Sequence, residues 1–353
     1  MRSAVAAGEA PTPALRLSID KSALRANWQA LDRLSGSAEA GAAVKANAYG
    51  LGAVTVVREL LQAGCRNFFV AHPAEVRDLI GLMGGASLSV LHGPLTAQDA
   101  AWMREIGAKP VINSLAQAQR WQSVGGGVCD LMVDTGINRL GLPLRDLGDE
   151  AISELEIDVL LSHLAAAEED SALNALQLAR WQEARELVRH RRASLANSAG
   201  IALGPSYHGE LTRPGLALYG GIPCEALESV IRQVATPQAA IMQVRQIEAG
   251  DTVGYNATFT APRPMRVGTV ALGYADGYLR CWTGIGTMTS GAGRTLRVLG
   301  RVSMDMSVVD LTDAPDVAEG DWVSAAYYLP DAARASGLSQ YELLTLLGSR
   351  FAR

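Results

Sequence analysis

The sequence predicts an α/β chain, with an N-terminal (β/α)8 TIM-like barrel over residues 14-235 and a mostly-β domain over residues 236-353. Three observations support this. Short apolar runs alternate with helical patterns through the first two thirds of the chain. The helical pattern stops near Thr236-Pro237, and β-rich runs follow it. The length of 353 residues also exceeds what one hydrophobic core usually supports, which favours two domains.

The barrel prediction depends on a count of βα units. After a possible N-cap at Asp20, apolar residues Leu24, Trp28 and Leu31 recur at helical spacing, and a second such pattern ends before Gly64, a possible C-cap. About eight units in just over 200 residues favour a closed barrel over an open sheet. No Gly-x-Gly-x-x-Gly follows the first strand, which weighs against a dinucleotide fold. The predicted strands are residues 42–44, 68–71, 88–91, 110–112, 131–133, 159–161, 194–196 and 216–218.

The second domain is predicted from β-rich runs that glycine and proline interrupt. Its closing segment is helical, because Ser339 and Glu342 have the spacing of a capping box before Leu343 and Leu344. The predicted strands are residues 240–247, 251–260, 266–272, 295–299, 306–311 and 322–326.

Composition excludes several classes of partner. The net charge is −5 and no basic run extends beyond residues 190–192, so no nucleic-acid partner is expected. No stretch approaches the roughly 20 apolar residues that span a bilayer, so no membrane partner is expected either. Residues 1–13 lack an apolar core and contain Glu9, unlike a signal peptide.

Cysteine usage indicates the compartment. Four cysteines lie far apart in sequence, with no histidine at metal-ligand spacing, so neither a disulfide framework nor a metal site is expected. A reducing, cytoplasmic location fits best. The four are Cys65, Cys129, Cys224 and Cys281.

Lys45 is the first candidate catalytic residue. It is one of three lysines in the chain, and it ends an apolar, strand-like run. Burial lowers a lysine pKa, and the resulting neutral amine can condense with an aldehyde to form a Schiff base. The alternative is a lysine whose stem packs at a strand end while its amine reaches water.

Three more polar residues follow predicted barrel strands, and a fourth, Arg213, interrupts the last strand region. Side chains at the C-terminal ends of barrel strands meet on one face, where catalytic groups of this fold lie. Each residue also has an ordinary explanation, such as an ion pair between Arg139 and Asp134, a satisfied histidine, or turn chemistry at a serine. The four are Arg139, His163, Ser198 and Arg213.

Seven sequence motifs, spread over essentially the whole chain, resemble the alanine racemase family of fold-type III enzymes that use pyridoxal 5'-phosphate. The motif around Lys45 resembles the family's cofactor lysine. In the predicted barrel the motifs are VKANAYG at 44–50, DTGINRLG at 134–141, ANSAGI at 196–201 and RPGLALYG at 213–220. In the β domain they are VGYNATF at 253–259, ALGYADGY at 271–278 and GRVSMD at 300–305.

The resemblance implies a reaction and an assembly. A pyridoxal-phosphate-dependent amino-acid racemase would interconvert L-alanine and D-alanine, supplying D-alanine for bacterial cell-wall peptidoglycan. Lys45 would hold the cofactor as an aldimine and act as one base. Tyr274, from the β domain of the partner subunit in a homodimer with shared active sites, would act as the second base on the opposite face. His163 would tune this tyrosine and contact Arg213.

The resemblance also implies binding roles. Arg213 would face the pyridine nitrogen and, because arginine keeps its proton, would leave that nitrogen largely unprotonated. Arg139 and the backbone of the partner's Met304 would bind the substrate carboxylate, and Asp305 would support this site. The remaining cofactor-binding residues would hold the phosphate: Tyr49, Ser198, Gly215, Leu216 and Tyr341.

Three positions depart from the family pattern. Leu51 stands where many members have histidine, and Ser303 replaces a frequent cysteine. Met132 stands where some members carry a carbamylated lysine, so Arg139 would need another partner. Three alternatives remain open: a serine or broader-specificity racemase, a pyridoxal-phosphate decarboxylase of basic amino acids, and a non-enzymatic cofactor carrier.

Overall fold

The computed structural model describes residues 12–352, which form two compact units. One unit is Asp20–Val234, and the other joins residues 12–19 to residues 235–352. The strand Leu15–Ile19, which the sequence assigned to the barrel domain, belongs to the second unit because it pairs antiparallel with residues 235–239. The prediction that residues 1–13 are not a signal peptide concerns mostly residues 1–11, which lie outside the described residues.

The first unit is a parallel (β/α)8 barrel, as the sequence predicts. Hydrogen bonds close the ring at its last strand: the N–H of Gly41 donates to Thr212 O over 2.9 Å, and the N–H of Arg213 donates to Ala196 O over 2.8 Å. The barrel strands are Glu39–Ala40 with Ala42–Ala43, Asn67–Val70, Ser87–Val90, Lys109–Ile112, Val128–Asp134, Glu156–Leu161, Arg192–Ser194 and Leu211–Thr212, and Leu142–Pro143 pairs beside the fifth.

The eighth strand is a correction to the sequence prediction. Residues 216–218 are not a strand, because Leu216–Tyr219 forms a 3-10 helix and the eighth strand is Leu211–Thr212. Residues 216–218 do not form a strand because nearby backbone amides already donate hydrogen bonds to a side chain. The N–H groups of Gly215 and Ala217 donate to Ser198 Oγ over 3.0 and 3.2 Å, so a strand ladder cannot use them.

The predicted helix termini are confirmed. The Asp20 carboxylate caps its helix by accepting from the N–H of Ala23 over 2.9 Å, and Gly64 ends the next right-handed helix with φ 114°. The α-helices of this unit are Lys21–Leu34, Ala53–Ala63, Ala97–Ile106, Leu115–Ser123, Glu150–Ser153, Ala172–Leu187 and Ser198–Ala202, whereas Lys45–Tyr49 is a turn with left-handed dihedral angles.

The barrel interior is apolar in its centre and charged at the N-terminal ends of the strands. Apolar side chains, Met132 among them, fill the centre. At the N-terminal end, Lys109 Nζ lies 2.8 Å from buried Asp130 and 2.5 Å from Asp158, which also pairs with Arg192 over 2.8 Å. Buried charges of this kind need such partners, so the network closes this end of the barrel.

The second unit is a mostly-β domain. Its longest strand, Ala235–Ile247, pairs with both Met265–Val270 and Trp322–Ala325, so the sheet closes on itself. The sequence missed the strand Thr287–Ser290. The other strands are Leu15–Ile19, Thr252–Val253, Phe259–Thr260, Thr295–Leu299 and Ser307–Asp310, and the helices are Leu329–Ser336 and Gln340–Thr345.

The last helix begins with the predicted capping box, in which Ser339 Oγ accepts from Glu342 N over 3.2 Å. The predicted apolar face of this helix, Leu343 and Leu344, is fully buried. Among residues 12–352, no helix combines the length and apolar character that a bilayer-spanning helix needs.

Candidate active site

Lys45 follows the first barrel strand and begins a turn with left-handed backbone dihedral angles. The next four residues all have φ of 53–54°, in the left-handed region, and Gly50 follows with φ 89°. L-amino acids are disfavoured there by about 1–2 kcal/mol per residue. A run of non-glycine residues in this region persists only where the surroundings enforce it, which is typical of functional sites. The four are Ala46, Asn47, Ala48 and Tyr49.

The environment of Lys45 lowers its pKa. Burial is the largest cause, and the positive charges of Arg139 and Arg213 act in the same direction, while Glu75 opposes them. Neutral amine is therefore more abundant at Lys45 than at an exposed lysine, as the sequence predicted for a nucleophile.

Arg139 lies on a loop that Asp134 organises. Oδ1 of Asp134 accepts hydrogen bonds from the N–H groups of Gly136, Ile137 and Asn138 over 2.9, 3.0 and 3.1 Å. The alternative of an ion pair between Asp134 and Arg139 is therefore not needed to explain this carboxylate. Asp134 instead holds the backbone that presents Arg139, with Asn138 at φ 53°.

Arg213 is buried, and its guanidinium is held by backbone carbonyls. Nη1 donates to Ser194 O over 2.8 Å, and Nη2 donates to Ser162 O. Burial lowers the pKa of Arg213 to about 10, which keeps it a cation at neutral pH. Burial first, and Arg213 next, lower the pKa of His163 to about 3, so this histidine is neutral.

A polar cradle lies where Ser198 meets the turn after the eighth strand. Ser198 Oγ accepts from the amides of Gly215 and Ala217, as described above. A Cβ built on Gly215 would lie 2.3 Å from Tyr49 Oη, so only glycine allows the tyrosine hydroxyl to come so near the backbone. The ring of Tyr49 packs against Tyr219 with centroids 4.7 Å apart. Hydroxyls and turn amides are the donors that bind phosphate, so these residues fit a phosphorylated cofactor.

In the β unit, Tyr274 begins the short 3-10 turn Tyr274–Asp276. Its N–H donates to Ser303 O over 3.0 Å, and the N–H of Ala275 donates to Met304 O over 2.9 Å. The guanidinium of Arg280 lies 5.2 Å from the centre of the Tyr274 ring. The structure therefore brings Tyr274 and Met304 together within this unit.

Asp305 joins the same group through Arg350. Arg350 donates to Asp305 over 2.6 Å and to Asp276 over 2.7 Å. Tyr341 lies in the capping-box helix Gln340–Thr345. Sequence reasoning missed Arg350, Asp276 and Glu75 as supports of the candidate residues. The dipeptide Asp276-Gly277 is typical of a turn, but no local pattern in the sequence links Asp276 to an arginine 74 residues away.

Two of the three departures from the family pattern, Leu51 and Met132, lie in the barrel unit. Leu51 is fully buried, so this position packs rather than meeting a ligand. Met132 packs in the apolar centre of the barrel with Phe69 and Leu161. A thioether in this setting offers Arg139 no anionic partner.

An amine with a lowered pKa after the first strand of a parallel barrel, together with a polar cradle of hydroxyls and turn amides, is the arrangement expected of the barrel class of pyridoxal-phosphate enzymes. Comparisons with known proteins narrow the class. The family model "Alanine racemase, N-terminal domain" matches residues 19–223, and "Alanine racemase, C-terminal domain" matches residues 234–353. The chain belongs to the alanine racemase family.

The chain also matches individual alanine racemases over nearly the full length of both proteins. The chain is 40% identical to the alanine racemase of Acidiphilium cryptum over 96% of this chain and 97% of that protein, and 39% identical to that of Rhizobium meliloti over 96% of each. The crystal structure of alanine racemase from Bartonella henselae with covalently bound pyridoxal phosphate matches with TM-score 0.88 and 34% identity, covering 97% of this chain and 99% of that one. Matches of this extent do not favour the decarboxylase or the carrier.

Proposed function

We propose that the protein interconverts L-alanine and D-alanine with pyridoxal 5'-phosphate bound through Lys45. The observation that carries the proposal is the lowered pKa of Lys45 at the mouth of a barrel that belongs to this family. When bound, pyridoxal phosphate withdraws electrons from the substrate Cα and makes the α-hydrogen acidic. Side chains of the protein bind the cofactor and the substrate and transfer the α-proton.

Residues of the barrel unit hold the cofactor. Tyr49, Ser198 and the amides of Gly215 and Leu216 bind the phosphate, which is supported by the hydroxyl and turn geometry of the cradle. Tyr341 of the β unit adds another hydroxyl. Arg213 would donate to the pyridine nitrogen, and because its pKa is about 10, it would keep its own proton at neutral pH.

Two bases act on opposite faces of Cα. Lys45 removes or returns the α-proton on one face, and Tyr274 does so on the other, because inversion needs one group on each side. Neutral His163 hydrogen-bonds the tyrosine hydroxyl and so orients it. Arg139 and the backbone of Met304 bind the substrate carboxylate, and Asp305 supports Met304 through its contact with Arg350.

The active form is a homodimer with shared sites. Lys45 lies in the barrel unit and Tyr274 in the β unit. We infer that each site combines Lys45 of one subunit with the partner subunit's Tyr274, in a closed two-fold assembly. The enzyme works in the cytoplasm and supplies D-alanine for peptidoglycan. Four free cysteines support a reducing compartment.

The first experiment is an assay of L-alanine racemisation. The reaction is monitored as a loss of optical rotation, and no carbon dioxide should be released. Lys45→Ala should abolish the activity because the reaction needs a Schiff base between the cofactor and this lysine. Lys21→Ala is the matched control, since Lys21 is exposed and pairs with Glu59 over 3.3 Å. If Lys45→Ala kept near wild-type turnover without added amine, the proposal would fail.

The second experiment separates the bases. Tyr274→Phe should slow exchange of the α-hydrogen with deuterated solvent for one alanine enantiomer more than for the other. Equal losses for both would contradict one base on each face.

The third experiment tests the shared site. Mixing Lys45→Ala with Tyr274→Phe under subunit exchange should restore up to about one wild-type site per heterodimer, because one site receives both defects and the other neither. Verified heterodimers without recovered activity would exclude shared sites.

A further inference from the structure

Glu75 connects the loops that follow the first two barrel strands. It lies in the 3-10 turn Pro73–Val76, after the second strand, and its carboxylate reaches the turn that carries Lys45. Oε1 accepts from the N–H of Ala46 over 2.5 Å. Oε2 accepts from the N–H groups of Ala71 and His72 over 2.7 and 3.0 Å. One side chain therefore joins two loops through three backbone donors.

The hydrogen bond to Ala46 lies where the run of left-handed residues begins. Ala46 directly follows Lys45 and is the first of the four left-handed residues. Hydrogen bonds within the turn use other donors, such as the N–H of Gly50 to Ala46 O over 2.9 Å. The Ala46 amide points to Glu75, and a charge-assisted hydrogen bond is roughly twice as strong as a neutral one. This contact stabilises a turn whose own dihedral angles oppose it.

The charge of Glu75 also acts on Lys45. Arg139 and Arg213 lower the Lys45 pKa, and Glu75 raises it. Two histidines lie beside Glu75, with the rings of His72 and His92 4.2 Å apart and their Nδ1 atoms 3.2 Å apart. Burial, followed by the charge of His72, lowers the pKa of His92, which favours its neutral form. Glu75 is thus the carboxylate that balances the two arginines at Lys45.

We propose that Glu75 is a positioning residue for the cofactor lysine: its carboxylate holds the left-handed turn in place and balances the cationic groups around the Lys45 nitrogen. The inference rests on the proposed function, because the left-handed turn matters only if Lys45 holds the cofactor. Glu75 itself would not contact the reacting atoms.

Two substitutions separate the two roles in the holoenzyme. Glu75→Gln keeps the length of the side chain and one acceptor oxygen but removes the charge. Glu75→Asp keeps the charge but shortens the reach to Ala46. Glu105→Gln is the matched control, since Glu105 is an exposed residue of the helix Ala97–Ile106. The readouts are the absorbance of the bound cofactor as a function of pH and the dissociation constant of pyridoxal phosphate.

The two variants should respond differently. In Glu75→Gln, the midpoint of the spectral titration should fall by about one pH unit, since a neighbouring anion no longer favours the charged nitrogen. In Glu75→Asp, the midpoint should stay near that of wild type, while cofactor affinity falls about tenfold from loss of the contact to Ala46. In Glu105→Gln, both readouts should match wild type.

Wild-type midpoint and affinity in both Glu75 variants would overturn the inference. A lowered melting temperature with both readouts unchanged would do so too, because it would leave Glu75 a purely structural residue. If one of the two Glu75 variants does not fold, the titration midpoint and the cofactor affinity of the other variant test the inference. Failure of the wild-type protein to bind pyridoxal phosphate at all would instead overturn the proposed function.

Discussion

Arg350 donates from Nε to Oδ1 of Asp276 over 2.7 Å, and Asp276 is fully buried. Asp276 also accepts from the N–H of Gly273 over 3.1 Å, which closes the turn that begins at Tyr274. An arginine near the C-terminus therefore supports the turn that presents the proposed second base.

Arg350→Ala should lower the free energy of unfolding by about 2 kcal/mol, because it leaves a buried carboxylate without its charged partner. Chemical denaturation measures the loss. Arg334→Ala is the control, since Arg334 and Asp331 form an exposed pair that should contribute less than about 1 kcal/mol. Equal effects of the two substitutions would contradict a special role for Arg350.

The left-handed turn predicts opposite effects of the same substitution at two sites. Ala46→Gly should raise the free energy of unfolding by about 1 kcal/mol, because glycine tolerates a φ of 53° that alanine does not. Ala101→Gly, in the helix Ala97–Ile106, should lower it by about 1 kcal/mol. Both alanines are exposed, so few contacts are lost. Paired denaturation curves measure the difference, and a destabilised Ala46→Gly variant would argue against strain at this turn.

Gly215→Ala should weaken cofactor binding at least about tenfold, since the added Cβ forces Tyr49 or the turn to move and overpacking typically costs about 1–3 kcal/mol. The measurement is equilibrium binding of pyridoxal phosphate by absorbance. Gly148→Ala is the control, because a Cβ at Gly148 would have no neighbour within 4 Å. Unchanged affinity in Gly215→Ala would show that the cradle is not where the phosphate binds.

His163 should remain neutral across the physiological pH range, since its pKa is lowered to about 3. Nuclear magnetic resonance of the histidine side chains, with His163→Asn used to assign the His163 signal, should show that this signal does not titrate between about pH 5 and 8. An ordinary titration of that signal would contradict the burial of His163.

The same lowered pKa has a consequence for stability. An unfolded histidine binds a proton below about pH 6.5, whereas His163 in the folded chain does not. Its contribution to stability is therefore present above about pH 6.5 and is lost as the pH falls toward about 3. The His163→Asn variant should lose less stability than wild type over this interval.

The sequence by itself determined the class of the fold, most strand positions and the candidate residues of the barrel mouth. It did so because apolar periodicity and caps such as Asp20 and Ser339 are local properties, readable over a few residues. The same locality explains the misplaced eighth strand. An apolar run at residues 216–218 looks like a strand, and only the distant hydroxyl of Ser198 makes it a turn.

Tertiary structure decided what surrounds each candidate. The left-handed turn after Lys45 depends on Glu75, 29 positions from Ala46, and the turn of Tyr274 depends on Arg350, 74 positions from Asp276. The lowered pKa values of Lys45 and His163 arise from burial and from the positive charges of Arg139 and Arg213, which lie far from them in sequence. Electrostatic shifts depend on distance in space, and sequence spacing does not encode that distance for residues brought together by folding.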